Sequence, residues 1–217
     1  MKYVAIVGSN SKNSLNRVLA NFLAKRYGSD DLSIDVLSIN NLPFYSVDDE
    51  LTPSPEVVVF KQAVKEADGV IWLTPEYNHS IPGVLKNAID WLSRVDKVMI
   101  NKPSLIMGTT PGFLGTVYAQ MHLRDILFAL QSPVLMGNDT LVGAGHQKLS
   151  GTDNLTDDST IAWLDTVMPN FTAFVASTLP SNPQTSTSLM LAAVRAWTAP
   201  RALSSLQAMT ASMSVYC

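Results

Sequence analysis

The sequence has very little cysteine, few charges and no long apolar run. Its single cysteine, Cys217, is the last of 217 residues, so no intramolecular disulfide and no thiolate metal cage can form. Charged residues make up 15% of the chain and the net charge is −3, which argues against generic attraction to nucleic acid or anionic membranes. No run approaches the ~18 apolar residues of a membrane span, and the apolar stretch before Gly8 is too short for a signal-peptide core. We therefore expect a cytoplasmic protein with no nucleic-acid or membrane partner.

The sequence also lacks the signatures of hydrolytic and metal-dependent sites. No G-x-S-x-G motif is present, which disfavours a Ser-His-Asp hydrolase. The histidines His79, His122 and His146 have no recognisable metal-ligand spacing, and the acidic run 48–50 lacks the turn signals of a cation-binding loop. No metal is expected. His79 is the histidine in a candidate site loop, where it either contacts a ligand or is simply exposed.

What the sequence does have is a regular alternation of apolar strands and amphipathic helices. The run from Tyr3 to Val7 is continuously apolar, as in a strand buried on both faces, and the next segment has apolar residues at helical spacing. This order predicts an α/β fold with a parallel sheet and helices on both faces. The predicted strands are Tyr3–Val7, Ile34–Ile39, Gly69–Leu73, Pro103–Met107 and Pro133–Met136, and the predicted helices are Leu15–Tyr27, Glu56–Ala67, Pro82–Leu92, Val117–Leu130 and Ser159–Ser177.

The composition changes abruptly near the C-terminus. From Gln184 onward the chain has no Asp, Glu, Lys or Gly and is dominated by Ala, Ser, Thr and Met. We therefore predict one domain over residues 1–180, followed by an atypical tail at 181–217 that is disordered or loosely docked.

A parallel sheet of this kind binds ligands at the carboxyl ends of its strands, and the loop that follows the first predicted strand is unusually polar. It reads GSNSKNSLN (8–16) and leads into a helix whose free N–H groups and positive dipole end suit a phosphate monoester. It is neither a Walker A loop nor a G-x-G-x-x-G fingerprint, which disfavours ATP and a tightly held dinucleotide. The alternative is that Ser14 only caps the helix while the other polar groups are solvated.

Two further loops follow the third and fourth predicted strands. The loop TPEYNHSIPGVLKNAIDW (74–91) places Tyr77 and Asn78 where a planar heterocycle could lie against backbone groups, whereas ordinary loops of this type need only about two to six residues. The loop GTTPGFLGT (108–116) has three glycines that allow the backbone to approach a ligand closely. The alternatives are a Tyr77 that packs on the domain surface and a plain Gly/Pro turn.

Together these loops resemble the NADPH-dependent FMN reductase family, which includes quinone, azo-dye and chromate reductases. The resemblance covers about residues 1–180 and rests on GSxxxxSxN (8–16), PEYNxSxPGxLKNAxDW (75–91), and GxxG followed by HLR (112–124). It implies a flavodoxin-like three-layer α/β/α sandwich whose five-stranded parallel sheet has the order 2-1-3-4-5. It also implies bound FMN, NADPH or NADH as the electron donor, and a quinone, azo compound or free flavin as the small-molecule acceptor, reduced by ping-pong hydride transfer.

By matching position, the resemblance assigns FMN contacts to all three loops, with Tyr77 and Asn78 nearest the ring and no certain catalytic residue. Many relatives carry an arginine where this chain has Ser11, which leaves Lys12 and Arg17 as the nearby cations. Family members are commonly dimers or tetramers with the flavin near the subunit interface, so a homodimer or homotetramer is expected. The assigned residues are Ser9, Ser11, Ser14, Leu15, Asn16, Pro75, Glu76, Tyr77, Asn78, Thr109, Thr110, Pro111 and Gly112.

Two other interpretations stay open from the sequence. A flavodoxin-type electron carrier would bind FMN without turning over a substrate, although such carriers are usually strongly acidic and this chain is only mildly so. A non-catalytic sensor or a flavin-free regulator could use the same fold. The preference for NADH or NADPH and the identity of the acceptor are also left open.

Overall fold

The structure, a computed structural model, describes residues 1–178. A 3-10 turn at Val47–Asp49 lies between the second strand and the second helix of the chain. In this part of the chain, no helix combines the length and apolarity needed to cross a bilayer. The predicted tail at 181–217 lies outside the described residues. The elements are β1 (Lys2–Val7), α1 (Leu15–Tyr27), β2 (Ser33–Ser38), α2 (Pro55–Glu66), β3 (Gly69–Leu73), α3 (Gly83–Ser93), β4 (Ser104–Thr109), α4 (Val117–Ala129), β5 (Thr140–Val142), α5 (Gly145–Lys148), β6 (Leu149–Ser150), β7 (Asn154–Leu155) and α6 (Asp158–Thr178).

Five parallel strands form the central sheet in the order β2-β1-β3-β4-β5, which confirms the predicted order 2-1-3-4-5. The register aligns the carboxyl ends of the central strands, because Val7 pairs with Leu73 and Leu73 with Met107. The three polar loops therefore leave the sheet at one edge. Strands β6 and β7 form a separate antiparallel hairpin.

The central strands are buried on both faces because helices cover each side of the sheet, and successive side chains of a strand point to opposite sides. Tyr3, Ala5 and Val7 pack with α1 and α6 in one apolar cluster. Val4 and Ile6 belong to a second cluster with α2, α3 and α4. This arrangement confirms the three-layer α/β/α sandwich and explains why residues 3–7 of β1 form an unbroken apolar run.

The prediction of a fifth strand at Pro133–Met136 is wrong. Only Val134 in this segment pairs with the sheet, through an isolated bridge to Ser104. Gly137 then turns the chain with a φ of +71°, and the ladder resumes at β5, which pairs with the last three residues of β4. The strand β4 also continues through Thr109, two residues beyond its predicted end.

The helix α6 begins at a carboxylate cap. Asp157 accepts hydrogen bonds from the Thr160 hydroxyl, from the Ser159 hydroxyl at 2.7 Å and from Thr160 N at 2.9 Å. Lys148 Nζ lies 3.2 Å from the same carboxylate. These donors, the Thr160 hydroxyl first, hold the pKa of Asp157 well below its usual range.

Replacement of Asp157 by alanine should lower the free energy of unfolding by about 1 kcal/mol at neutral pH, the usual loss for a helix cap. Because the folded-state pKa is depressed, this stabilisation is present above the unfolded-state pKa of about 3.9 and disappears as the pH falls toward the folded-state value. Urea denaturation at pH 7 and pH 3 should show the difference between wild type and variant shrinking in acid. Asp158→Ala serves as the neighbouring control, and an equal effect of both substitutions would contradict the cap.

Candidate active site

The first loop ends in a capped helix start with uncommitted N–H groups. Ser14 is the N-cap of α1, and its hydroxyl oxygen accepts from Arg17 N at 3.3 Å. The N–H groups of Leu15 and Asn16 have no intrahelical acceptor, and no other acceptor within residues 1–178 takes them. The first turn of α1 contains no acidic residue. This corner therefore offers hydrogen-bond donors and a positive dipole end to an anion.

Asn16 joins the first loop to the third. Its side-chain nitrogen donates to Thr109 O at 3.0 Å, and Thr109 N donates back to its side-chain oxygen at 3.0 Å. The Asn16 side chain is 3% exposed, so water does not replace these bonds. The side chain thus holds the start of α1 against the end of β4, while its backbone N–H stays free for a ligand.

The second loop closes a tight two-residue turn just beyond β3. Tyr77 and Ser80 exchange two backbone hydrogen bonds of 3.0 Å, and the central residues Asn78 and His79 both have positive φ angles, 51° and 59°. This is the geometry of a type I′ turn, in which asparagine is favoured because it tolerates the left-handed conformation. The turn leaves the Tyr77 ring 53% exposed at the ligand edge of the sheet.

Three residues of the second loop contact α4. The carboxylate of Glu76 accepts from Tyr118 N at 2.9 Å and Ala119 N at 3.1 Å, and so caps a helix whose N-cap residue makes no side-chain cap bond. The rings of His79 and Tyr118 stack with centroids 4.3 Å apart. His122 Nδ1 lies 3.0 Å from the Ser80 hydroxyl. The second loop and the first turns of α4 therefore form one polar unit.

The third loop is held in place by residues 144 and 145, which the sequence motifs did not indicate as part of the site. Ala144 N donates to Gly112 O and Gly145 N donates to Thr110 O, both at 2.8 Å. Gly145 passes so close that an added Cβ would lie 2.1 Å from the Thr109 hydroxyl oxygen. The sequence signal for this close approach is the pair of glycines in VGAGH, which directly follows β5 and lies beyond the segment 133–136 predicted as the fifth strand.

The site residues fit a phosphate ester joined to a planar ring. Within residues 1–178, the buried hydroxyl of Thr109 has no hydrogen-bond partner. The backbone of the same residue is bonded to the side chain of Asn16, whose own N–H is free. Tyr77 offers an exposed aromatic face on the adjacent loop. Across residues 1–178, no three His, Cys, Asp or Glu side chains gather as metal ligands would.

Comparison with known proteins also indicates a flavin-dependent reductase. A family model described as NADPH-dependent FMN reductase matches residues 1–147. The NADH-dependent flavin reductase subunit 2 of Lactobacillus johnsonii is 41% identical over 182 residues, which cover 81% of this chain and 97% of that protein. The 2-hydroxy-1,4-benzoquinone reductase of a Burkholderia species is 38% identical over 81% of this chain and 96% of its own length.

A solved structure extends the likeness to the fold. FerB, a flavoenzyme NAD(P)H:(acceptor) oxidoreductase from Paracoccus denitrificans, superposes with a TM-score of 0.75 at 29% identity, covering 82% of this chain and 98% of that one. The expected cofactor, FMN, and the expected donor, NAD(P)H, are confirmed by the family match. On its motifs, its strand order and this family match, the chain belongs to the NADPH-dependent FMN reductases.

Proposed function

We propose that this oxidoreductase holds FMN across the three loops and uses it to reduce a quinone or free flavin at the expense of NAD(P)H. The observation that carries the proposal is a set of donors at the carboxyl edge of the sheet that find no acceptor within residues 1–178, the N–H groups of Leu15 and Asn16 and the hydroxyl of Thr109. The named flavin and quinone reductases among its relatives support the choice of acceptor. Reduction of azo compounds stays a prediction.

The proposed cofactor contacts divide into three groups. Ser9, Ser11 and the backbone at 14–16 hold the phosphate, Pro75, Tyr77 and Asn78 line the ring, and residues 109–112 close its other edge. The side chains of Asn16 and Glu76 are positioning residues, because their polar atoms already bind Thr109 and the start of α4. The chemistry that FMN supplies when bound is acceptance of a hydride from the nicotinamide and its transfer to the acceptor.

Steady-state turnover tests the proposed activity. With FMN-loaded protein, NADH and NADPH should each be assayed against a benzoquinone, free FMN and an azo dye. Donor and acceptor use the same open face in turn, so double-reciprocal plots should give parallel lines. Bound FMN with no turnover of any pair would contradict the proposal and favour an electron carrier.

The second loop can be tested by two substitutions that spare its backbone. Tyr77→Ala removes an exposed ring, and Asn78→Gly removes the amide while keeping a residue that adopts positive φ without strain. Each should weaken FMN binding by about tenfold, equivalent to about 1.4 kcal/mol, with a similar loss of turnover. Fluorescence titration gives the affinity. Unchanged affinity and turnover in both variants would remove this loop from the site.

We also propose that the protein works in the cytoplasm as a homodimer or homotetramer. The helix α4 exposes Tyr118, Met121 and Phe128, whose spacing places them along one face. Phe44 and Phe113 are also exposed, 86% and 92%, and large apolar side chains of this kind favour a protein interface. Light scattering should give at least a dimer for the wild type and a shift toward monomer for Phe128→Ser. A monomeric wild type at micromolar concentration would contradict this proposal.

A further inference from the structure

A second polar cleft lies beside the first loop. It occupies about 420 Å³ between the first turns of α1 and the β6–β7 hairpin, a size within the range of small-ligand pockets. Lys12 and Arg17 line it together with Asn13, and no Asp or Glu does. The side-chain amide of Asn21 donates to Thr152 O at 2.8 Å, which fixes the hairpin against the helix and forms one wall.

The cations around α1 are paired at one end and unpaired at the other. At the C-terminal end, Lys25 lies 2.9 Å from Asp153, and Arg26 makes two hydrogen bonds of 2.9 and 2.8 Å to Asp165. At the N-terminal end, neither Arg17 nor Lys12 forms an ion pair with any carboxylate of residues 1–178. The unpaired cations at the N-terminal end need an explanation, because the chain has more acidic than basic residues.

The helix dipole makes the unpaired cations at the N-terminal end of α1 electrostatically unfavourable. Cations are stabilised at the C-terminus of a helix and destabilised at its N-terminus, where the N–H groups are already positive. Arg17, in the first turn of α1, therefore adds positive charge where the helix is least able to accept it, and the first turn contains no acid to offset it. A bound anion would remove this repulsion, and an arginine can hold a phosphate through two parallel hydrogen bonds.

We infer that this cleft binds a phosphate group of the nicotinamide dinucleotide donor. The inference rests on the proposed function, in which the FMN phosphate uses the hydroxyls of Ser9 and Ser11 and the backbone at 14–16. The cleft shares Ser14 and Leu15 with that loop and extends away from it along α1 to Asn21. The donor is the other phosphate-bearing ligand of the reaction, and it carries a diphosphate in NADH and an additional 2′-phosphate in NADPH.

Neutral variants of the two cations test the inference. Arg17→Gln, Lys12→Gln and the double variant should be compared with Lys25→Gln, which removes a cation from the paired end of the same helix. For each FMN-loaded protein, we would measure KM for NADPH and NADH at saturating quinone. We would also measure the Kd of NADP⁺, which is unreactive, by calorimetry, and the Kd of FMN by fluorescence.

The double variant should raise KM for the donor and Kd for NADP⁺ by about tenfold or more, since two charge-assisted contacts are lost. The maximal rate and FMN affinity should change little, because uniform binding of the donor affects KM alone. A rise for NADPH only would assign the cleft to the 2′-phosphate, and a rise for both donors to the diphosphate. The Lys25→Gln control should resemble wild type.

Two results would overturn the inference. Weaker FMN binding with an unchanged donor KM would show that the cations serve the flavin phosphate. Unchanged KM, NADP⁺ affinity and FMN affinity would show that both side chains are simply solvated. Failure of the proposed function is distinguishable, because then the wild type itself would bind no FMN or oxidise no NAD(P)H, and that result would overturn both proposals.

Discussion

Replacing Gly108 with alanine is expected to destabilise the protein by about 3 kcal/mol, at the upper end for overpacking a buried site. The added Cβ would lie 2.1 Å from Thr74 O and 2.3 Å from the Thr116 hydroxyl oxygen. The first is a backbone atom at the start of the second loop, and the second belongs to the N-cap residue of α4. Both atoms must move to accommodate the added Cβ, so the variant should lose FMN affinity as well as stability.

The matched control is Gly83→Ala. A Cβ at Gly83 would meet no atom within 4 Å, and the residue opens α3, where alanine is the better helix former by up to about 1 kcal/mol. Urea denaturation should therefore show a large loss of stability for Gly108→Ala and none for Gly83→Ala. Equal unfolding midpoints for the two variants would contradict the close approach of β4 to the second loop and α4.

Replacing Asn16 with alanine should also have a large effect. The substitution leaves the buried N–H and C=O of Thr109 without partners, at about 1–3 kcal/mol for each unsatisfied group. The start of α1 also loses its attachment to β4, so FMN affinity should fall by at least about tenfold. Fluorescence titration and urea denaturation of the same variant measure the two effects.

Two further variants distinguish the positioning role of Asn16 from a general loss of protein stability. Asn16→Asp keeps an acceptor for Thr109 N but places a negative charge beside the proposed phosphate, so it should reduce FMN affinity at least as much as alanine does. Asn21→Ala removes one exposed hydrogen bond on the same helix and should leave FMN affinity unchanged. If Asn16→Ala bound FMN as tightly as the wild type, the link between α1 and β4 would have no part in the site.

The fold was predictable where burial imposes a continuous local pattern. The strand β3 and residues 3–7 of β1 are completely buried. Their apolar runs therefore stand out, and the bounds of both strands were predicted to within one residue. The strand β5 was missed because it has three residues and its middle residue is exposed. The more apolar segment ahead of it looked like a better strand, but Gly137 turns the chain away after a single bridge.

The candidate site was predictable in its loops but not in its internal contacts. The polar loops after β1, β3 and β4 meet at one edge, as parallel topology requires. The roles of Asn16 and Glu76 depend on partners far along the chain, Thr109 and the start of α4, which no local pattern reveals. His79 is exposed, but its ring stacks on Tyr118, a contact that the sequence did not suggest.

We propose that the loops at 9–16, 75–78 and 109–112 hold a flavin mononucleotide through its phosphate. The most direct test is to titrate the flavin-free protein with FMN and with riboflavin, which has the same ring without the phosphate, and to follow quenching of flavin fluorescence. We expect one FMN bound per chain and an affinity for riboflavin at least about a hundredfold lower, equivalent to about 2.7 kcal/mol. Equal affinity for the two flavins, or no binding of FMN, would contradict it.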